Sequence, residues 1–325
     1  MIGKLFLASQ EGVVLAENRE TGWAIVSRGL KGKSCTSIAY MDEIIYAGTA
    51  EGCWISEDPA QEWRQHTEGL KHKHIRWLAC GPPETHRVFA GTEPAAVFFY
   101  DGNGSWWDCS EVEGLRDKNG WFLPYSDGAG CVRGFDFDKN FAYAAVEVGW
   151  LLWSDDFGHH WDLVKGATGN PDTKAHELPH VHPDVHSVTL PRDMEGVVFA
   201  ATGGGLFLST NQGKQWCRLY ECYCRAVWVN PDNRLEIVLG PADGVSENGR
   251  IEYSKDGGES WQDASGGLDT PWPERMVERF LQMDDQLLAL LSDGTVLASI
   301  IDEWEWEPIL QDAGKVYALA KDHAQ

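Results

Sequence analysis

One eight-residue phrase recurs along this chain and constrains the fold more than any other feature. Ser154-x-Asp156-x-Gly158-x-x-Trp161 returns as Ser254-x-Asp256-x-Gly258-x-x-Trp261. With one change it reads Ser209-x-Asn211-x-Gly213-x-x-Trp216, and in worn form Ser56-x-Asp58-x-Ala60-x-x-Trp63. Weaker equivalents end at Trp23, Trp107 and Trp306, so the Trp positions lie 40, 44, 54, 55, 45 and 45 residues apart. Repetition at that interval marks one supersecondary unit used many times. The physics of the phrase is that of a turn. Gly supplies positive φ, Ser and Asp side chains hydrogen-bond turn amides, and Trp offers a large apolar plate to a neighbour. Its residues are therefore expected to be structural.

Upstream of each phrase lies a short apolar run ending in small residues, as in Ile44-Ile45-Tyr46-Ala47-Gly48-Thr49 and Val198-Phe199-Ala200-Ala201-Thr202-Gly203. Such runs read as buried strands and hairpin turns, and helical periodicity is hard to find. Each unit reads as four strands, and four-stranded sheets repeated radially make a propeller. The first unit opens at Leu5-Phe6-Leu7-Ala8-Ser9, a second strand without an inner one. The last segment, Val316-Tyr317-Ala318-Leu319-Ala320, is an inner strand without a sequel. The C-terminal strand is expected to complete the first blade and hide two sheet edges. The fold class is all-β: a seven-bladed β-propeller forming a single domain over residues 1–325.

The repeated phrase resembles the Asp box of the sialidase-like, or BNR-repeat, propellers. That resemblance covers essentially the whole chain and puts a glycosidase among the expectations. The chain departs from sialidases in lacking an N-terminal Arg-Ile-Pro phrase and an assignable Tyr–Glu nucleophile pair. A non-sialidase member is therefore expected.

With 27 Lys+Arg against 50 Asp+Glu, the formal charge is −23. Nucleic-acid binding needs a basic footprint, and docking on anionic membranes needs one too. Neither partner is expected. No apolar run approaches the roughly 20 residues of a spanning helix. The 8 Cys are even in number, but a large propeller core needs no staples, and free thiols in a cytoplasmic, reducing setting are expected. Cys222-x-Cys224 fits neither a thioredoxin-type redox pair nor a complete metal pair.

In a propeller the variable loops gather at the mouth of the central channel. Two outer-to-inner connections are long, about Ser110 to Cys131 and about Lys165 to Asp184. The second carries His176, His180, His182 and His186 within eleven residues. On an extended segment His180 and His182 share a side. With His186, and His176 in reserve, they can form a three-His site for a divalent transition metal (Zn, Cu, Fe or Ni). Glu177 or Asp184 would orient a ligand. A polar loop without metal is the competing reading.

A second pattern emerges from aligning the inner strands. One early position reads Thr36, Arg76, Arg133, His186, Arg225 and Glu278, with Arg279 adjacent. Equivalent positions on radial blades form a ring. Several Arg there would focus positive potential and bind a small anion through bidentate forks. The alternative is that they pair with channel carboxylates such as Glu147 and Glu278. The Gly-rich segments at Gly203 and Gly240 precede no helix, so no nucleotide cofactor is expected. Asp243 is a candidate polar contact. Trp121, Trp272 and Tyr125 are candidates for stacking on a ligand or for packing.

Two function classes follow. In the first, the chain is a metal-dependent hydrolase or lyase acting on a small carboxylate- or phosphate-bearing substrate. The histidines hold the metal, Arg76, Arg133, Arg225 and Arg279 hold the anion, and Glu147 or Glu278 acts as base. In the second, the same mouth binds a ligand or protein partner without chemistry. A metal that only fixes the His loop is a third possibility.

Overall fold

A computed structural model describes residues 3–138, 141–170, 179–192 and 194–322. Seven antiparallel four-stranded sheets follow one another as the blades of a propeller. The inner strands of blades 2 to 7 are Cys35–Met41, Ile75–Cys80, Cys131–Phe137, Val185–Thr189, Tyr223–Asn230 and Val277–Met283. Blade 1 is completed from the other end of the chain. Val316–Lys321 pairs antiparallel with Lys4–Ser9, with Leu7 opposite Leu319. The expected closure is therefore present.

The core is distributed. Seven apolar clusters sit one at each blade-to-blade interface, such as Phe89, Val97, Val132 and Val146 between blades 3 and 4. Second strands narrow to Ala and Gly where the blades converge. A Cβ on Gly91 would stand 2.6 Å from the Val132 side chain, so only Gly lets the next inner strand approach.

The repeated phrase forms the expected turn. The Ser154 hydroxyl donates to Asp156 Oδ1 (2.8 Å) and accepts the Gly158 amide (2.9 Å). Asp156 Oδ1 also accepts the His160 amide, and Trp161 Nε1 donates to the Gly158 carbonyl. Gly158 has φ +79°. The same bonds recur from Ser209 and Ser254.

Two sequence expectations need correction. Trp106, not Trp107, is the buried equivalent in blade 3, donating to the His66 carbonyl of blade 2, while Trp107 is 58% exposed in the outer strand. The long connection after blade 3 also contains a helix, Glu111–Asn119, closed by Gly120 in the left-handed region. Its apolar period is weak because only Val112 and the stem of Arg116 are buried.

Candidate functional site at the channel mouth

The inner strands of blades 2 to 7 each break register near their start. The interruptions fall between Cys35 and Ser37, Ile75 and Trp77, Val132 and Gly134, Val185 and Ser187, Cys224 and Val227, and Val277 and Arg279. The residues skipped are Thr36, Arg76, Arg133, His186, Arg225 with Ala226, and Glu278. In blade 1 the pairing passes from Ala318 to Val316 and skips Tyr317. A β-bulge leaves one residue unpaired and re-aims its side chain. The ring inferred from alignment is thus a ring of bulge residues, with Tyr317 at the seventh place.

Thr36, Arg76, Arg133, Arg225, Glu278 and Tyr317 line a pocket of about 380 Å³, joined by His74, Trp77, Lys315 and Arg279. Arg76 Nη1 meets Glu93 Oε2 at 2.5 Å. Arg133 spans two carboxylates, Glu147 Oε2 at 3.0 Å and Glu278 Oε2 at 3.3 Å. Arg225 holds the other oxygen of Glu278 at 2.6 Å and donates twice to the Tyr223 hydroxyl. The ring arginines are therefore paired with channel carboxylates, the alternative that the sequence left open.

Arg279 plays a different part. Its guanidinium donates to the carbonyls of Arg133 (2.7 Å), His186 (3.0 Å), Arg225 (3.2 Å) and Glu278 (2.6 Å). These carbonyls all belong to bulge residues, and the Trp77 ring lies 4.4 Å from the guanidinium carbon. Burial, then the Arg133 charge, pulls the Arg279 pKa down to about 9, which still leaves it protonated at neutral pH. Its hydrogen-bonding nitrogens are occupied by backbone, so Arg279 is chiefly a fixed positive floor.

Burial works against ionisation of Glu147, but Arg133 and then His186 overcome it and hold the carboxyl at about 2. Burial likewise opposes ionisation of Glu278, and Arg225 and Arg133 hold it below its ordinary value. A carboxylate clamped by guanidinium is a weak base. Neither residue therefore matches the base expected of it. With Arg76, Arg133, Arg225, Arg279 and Lys315 near Glu93, Glu147, Asp184 and Glu278, positive charge exceeds negative by 5 − 4 = 1.

Among the described residues, His180, His182 and His186 do not converge as one three-His group. His176 lies outside the described residues. His182 Nδ1 accepts the Asp184 amide at 3.1 Å, and His180 is half-buried. Among the described residues, His186 instead converges with Glu147 and Asp184. Trp121 is buried and donates to the Gly169 carbonyl, so it packs rather than stacks on a ligand. Trp272 is buried as well. Asp243 bonds Asn248 away from the pocket lining. Tyr125 is 57% exposed and lies beside Glu147. Sequence reasoning missed Trp77, Lys315, Tyr317 and Glu93. Tyr317 was within reach, because the closing strand was already identified as an inner strand.

No protein-family model matches the chain, and no curated protein matches it in sequence. Solved structures do. The GH74 xyloglucanase from Xanthomonas campestris matches at 17% identity with TM-score 0.62, over 89% of this chain and 46% of that one. The chain thus spans less than half of that enzyme. YCF48 bound to D1 peptide matches at 16% identity and TM-score 0.60, over 91% and 89% of the two chains. Sqt1 of Chaetomium thermophilum, bound to the N-terminus of the ribosomal protein L10, matches at 12% and TM-score 0.54, over 90% and 79%. Such identities speak to fold and not to chemistry. The chain is a seven-bladed β-propeller, an architecture it shares with an enzyme and with peptide-bound proteins alike.

Proposed function

We propose that this protein is a binding propeller of the Asp-box type, and that its channel mouth receives an acidic group carried by a peptide or protein partner. One observation carries the reading: Arg279 and Lys315, added to ring arginines that already pair with carboxylates, leave net positive charge around a pocket of about 380 Å³, inside a chain of formal charge −23. Fixed guanidinium groups lose little freedom when an anion arrives, which favours binding. Trp77 and Tyr317 add apolar surface for the carrier of that group. Two structural neighbours hold a peptide or a protein terminus. The eight free thiols accord with a reducing, cytoplasmic setting.

Isothermal titration of citrate and of a short poly-glutamate peptide at low salt tests the reading. Both are expected to bind with one-to-one stoichiometry and to weaken as salt rises. Replacing Arg76 and Arg225 by Ala is expected to weaken both by roughly 10- to 100-fold, the scale of a lost charge-assisted hydrogen bond. Binding that survives the double replacement would refute it, as would no binding by the folded wild type.

A hydrolase or lyase with metal-activated water is the second reading. The grouping of Glu147, Asp184 and His186 beside the pocket favours it, and the clamped state of Glu147 and Glu278 counts against it.

A further inference from the structure

His186 is completely buried, yet neither of its ring nitrogens makes an aligned hydrogen bond, and Nε2 has only an ion-pair contact with Asp184 Oδ2. Asp184 Oδ1 is buried and unpartnered too. Polar atoms left this way cost free energy, and native interiors seldom keep them without a purpose. We propose that Glu147, Asp184 and His186 form a binding site for one divalent transition-metal ion, with zinc the best match to the donor set. This does not rest on anion binding at the arginine pocket.

The geometry comes from three pieces of chain. Glu147 ends the second strand of blade 4, Asp184 precedes blade 5, and His186 is the bulge residue of its inner strand. One ligand atom from each lies within 4.8 Å of the other two. His186 Nε2 stands 3.3 Å from Asp184 Oδ2. Two ligands of a tetrahedral zinc, bonded at about 2.0–2.1 Å, are separated by about 3.3–3.4 Å. A protonated imidazole paired with Asp184 is the rival arrangement, and the 3.3 Å contact from Nε2 to Oδ2 has the distance for it but not the alignment of a hydrogen bond.

The surroundings hold the ligands in place. The Asp184 amide donates to His182 Nδ1, and its carbonyl accepts the Gly203 amide at 2.9 Å. A Cβ on Gly203 would stand 2.5 Å from Asp184 Oδ2, so glycine leaves room for the carboxylate. Arg133 and the Cys131 thiol both donate to Glu147 Oε2, at 3.0 and 3.3 Å. Such outer contacts orient ligands and tune affinity. One imidazole with two carboxylates suits a borderline ion such as zinc better than a thiophilic one. Three protein ligands leave a coordination position for water or an anion.

The test uses the full chain, stripped by chelator and titrated with Zn²⁺ by calorimetry and with Co²⁺ by visible absorption. One equivalent is expected, with cobalt d–d bands and no thiolate charge-transfer band. Asp184→Asn and His186→Gln are each expected to weaken zinc binding on the order of 100-fold or more, since outer-contact losses alone cost 10–100-fold. The same variants should lose the zinc-induced rise in Tm. His180→Ala/His182→Ala should keep both. Near-UV circular dichroism of the metal-free variants shows whether they fold, and the wild-type cobalt spectrum stands even if they do not. Four outcomes overturn the site: no stoichiometric metal in folded wild type, metal retained by both folded ligand variants, metal lost from the His180/His182 variant, or a thiolate band.

Discussion

At the scale of the residue, Arg279 shows how little a side chain's type says about its task. It stands beside the ring in sequence, and its guanidinium suggests a ligand for an anion. The fold turns it instead onto four backbone carbonyls of neighbouring bulges. Those carbonyls have no ladder partner because the bulges removed it. Arg279→Met would take this donor from the Arg133, His186 and Glu278 carbonyls, while the Arg225 carbonyl would keep the Ser187 hydroxyl at 2.8 Å. The substitution should destabilise the protein on the order of 3 kcal/mol by urea unfolding, since each orphaned group costs about 1–3 kcal/mol. Arg279→Lys should recover only part, because a compact ammonium cannot span the same set. A midpoint for Arg279→Met indistinguishable from wild type would rule out the floor role. The ring itself was legible, because inner strands align by pattern. The bulges that aim it were not, since nothing local in Arg76 or Arg133 announces an unpaired residue. Asp184 was visible only as a helper, because its distance to Glu147 is set by two blades and not by spacing.

At the scale of the element, the recurring turn was almost fully legible: its side-chain bonds are local, so sequence spacing determines them. The blade 3 copy slipped by one residue because two tryptophans stand together there and burial alone chooses Trp106. The helix at Glu111–Asn119 escaped because a single buried apolar residue makes no period. The turns also predict a pH response. Burial tends to raise the Asp156 pKa, but bonds from the His160 amide and side chain and from Ser154 bring it to about 2, from an ordinary 3.8. Asp256 reaches about 2 chiefly through Ser260. A depressed folded-state pKa contributes stability that is complete above the unfolded value and disappears as pH falls through the folded one. These turns should therefore lose stability between about pH 4 and pH 2. Asp156→Asn/Asp256→Asn should have a lower urea midpoint than wild type at pH 5, and the gap should close by pH 2. A gap that stays constant across that range would show that the carboxylate charges contribute nothing to the turns.

At the scale of the whole molecule, stability depends on a ring with no free edge inside it. Each apolar cluster is shared by two blades, so no blade buries its faces alone. The seam is blade 1, where, among the described residues, Val316–Lys321 is the only strand that reaches its sheet from the far end of the chain. It also packs against the inner strand of blade 2, and its bulge residue Tyr317 belongs to the mouth. Ending the chain at Gly314 would remove that strand, strip Ala318 from the cluster between blades 1 and 2, and leave Lys4–Ser9 as an unpaired edge beside the channel. Exposed edges recruit other chains. The truncated protein should therefore self-associate in size-exclusion chromatography and unfold at much lower urea, over a broader transition, as blades 1 and 7 open first. A synthetic peptide spanning residues 315–322, added in excess, should reverse part of both effects, because the strand acts by pairing and not by its covalent link. A monomer with an unchanged midpoint would mean that the shared clusters alone hold the ring, and that the closing strand serves the mouth rather than the fold.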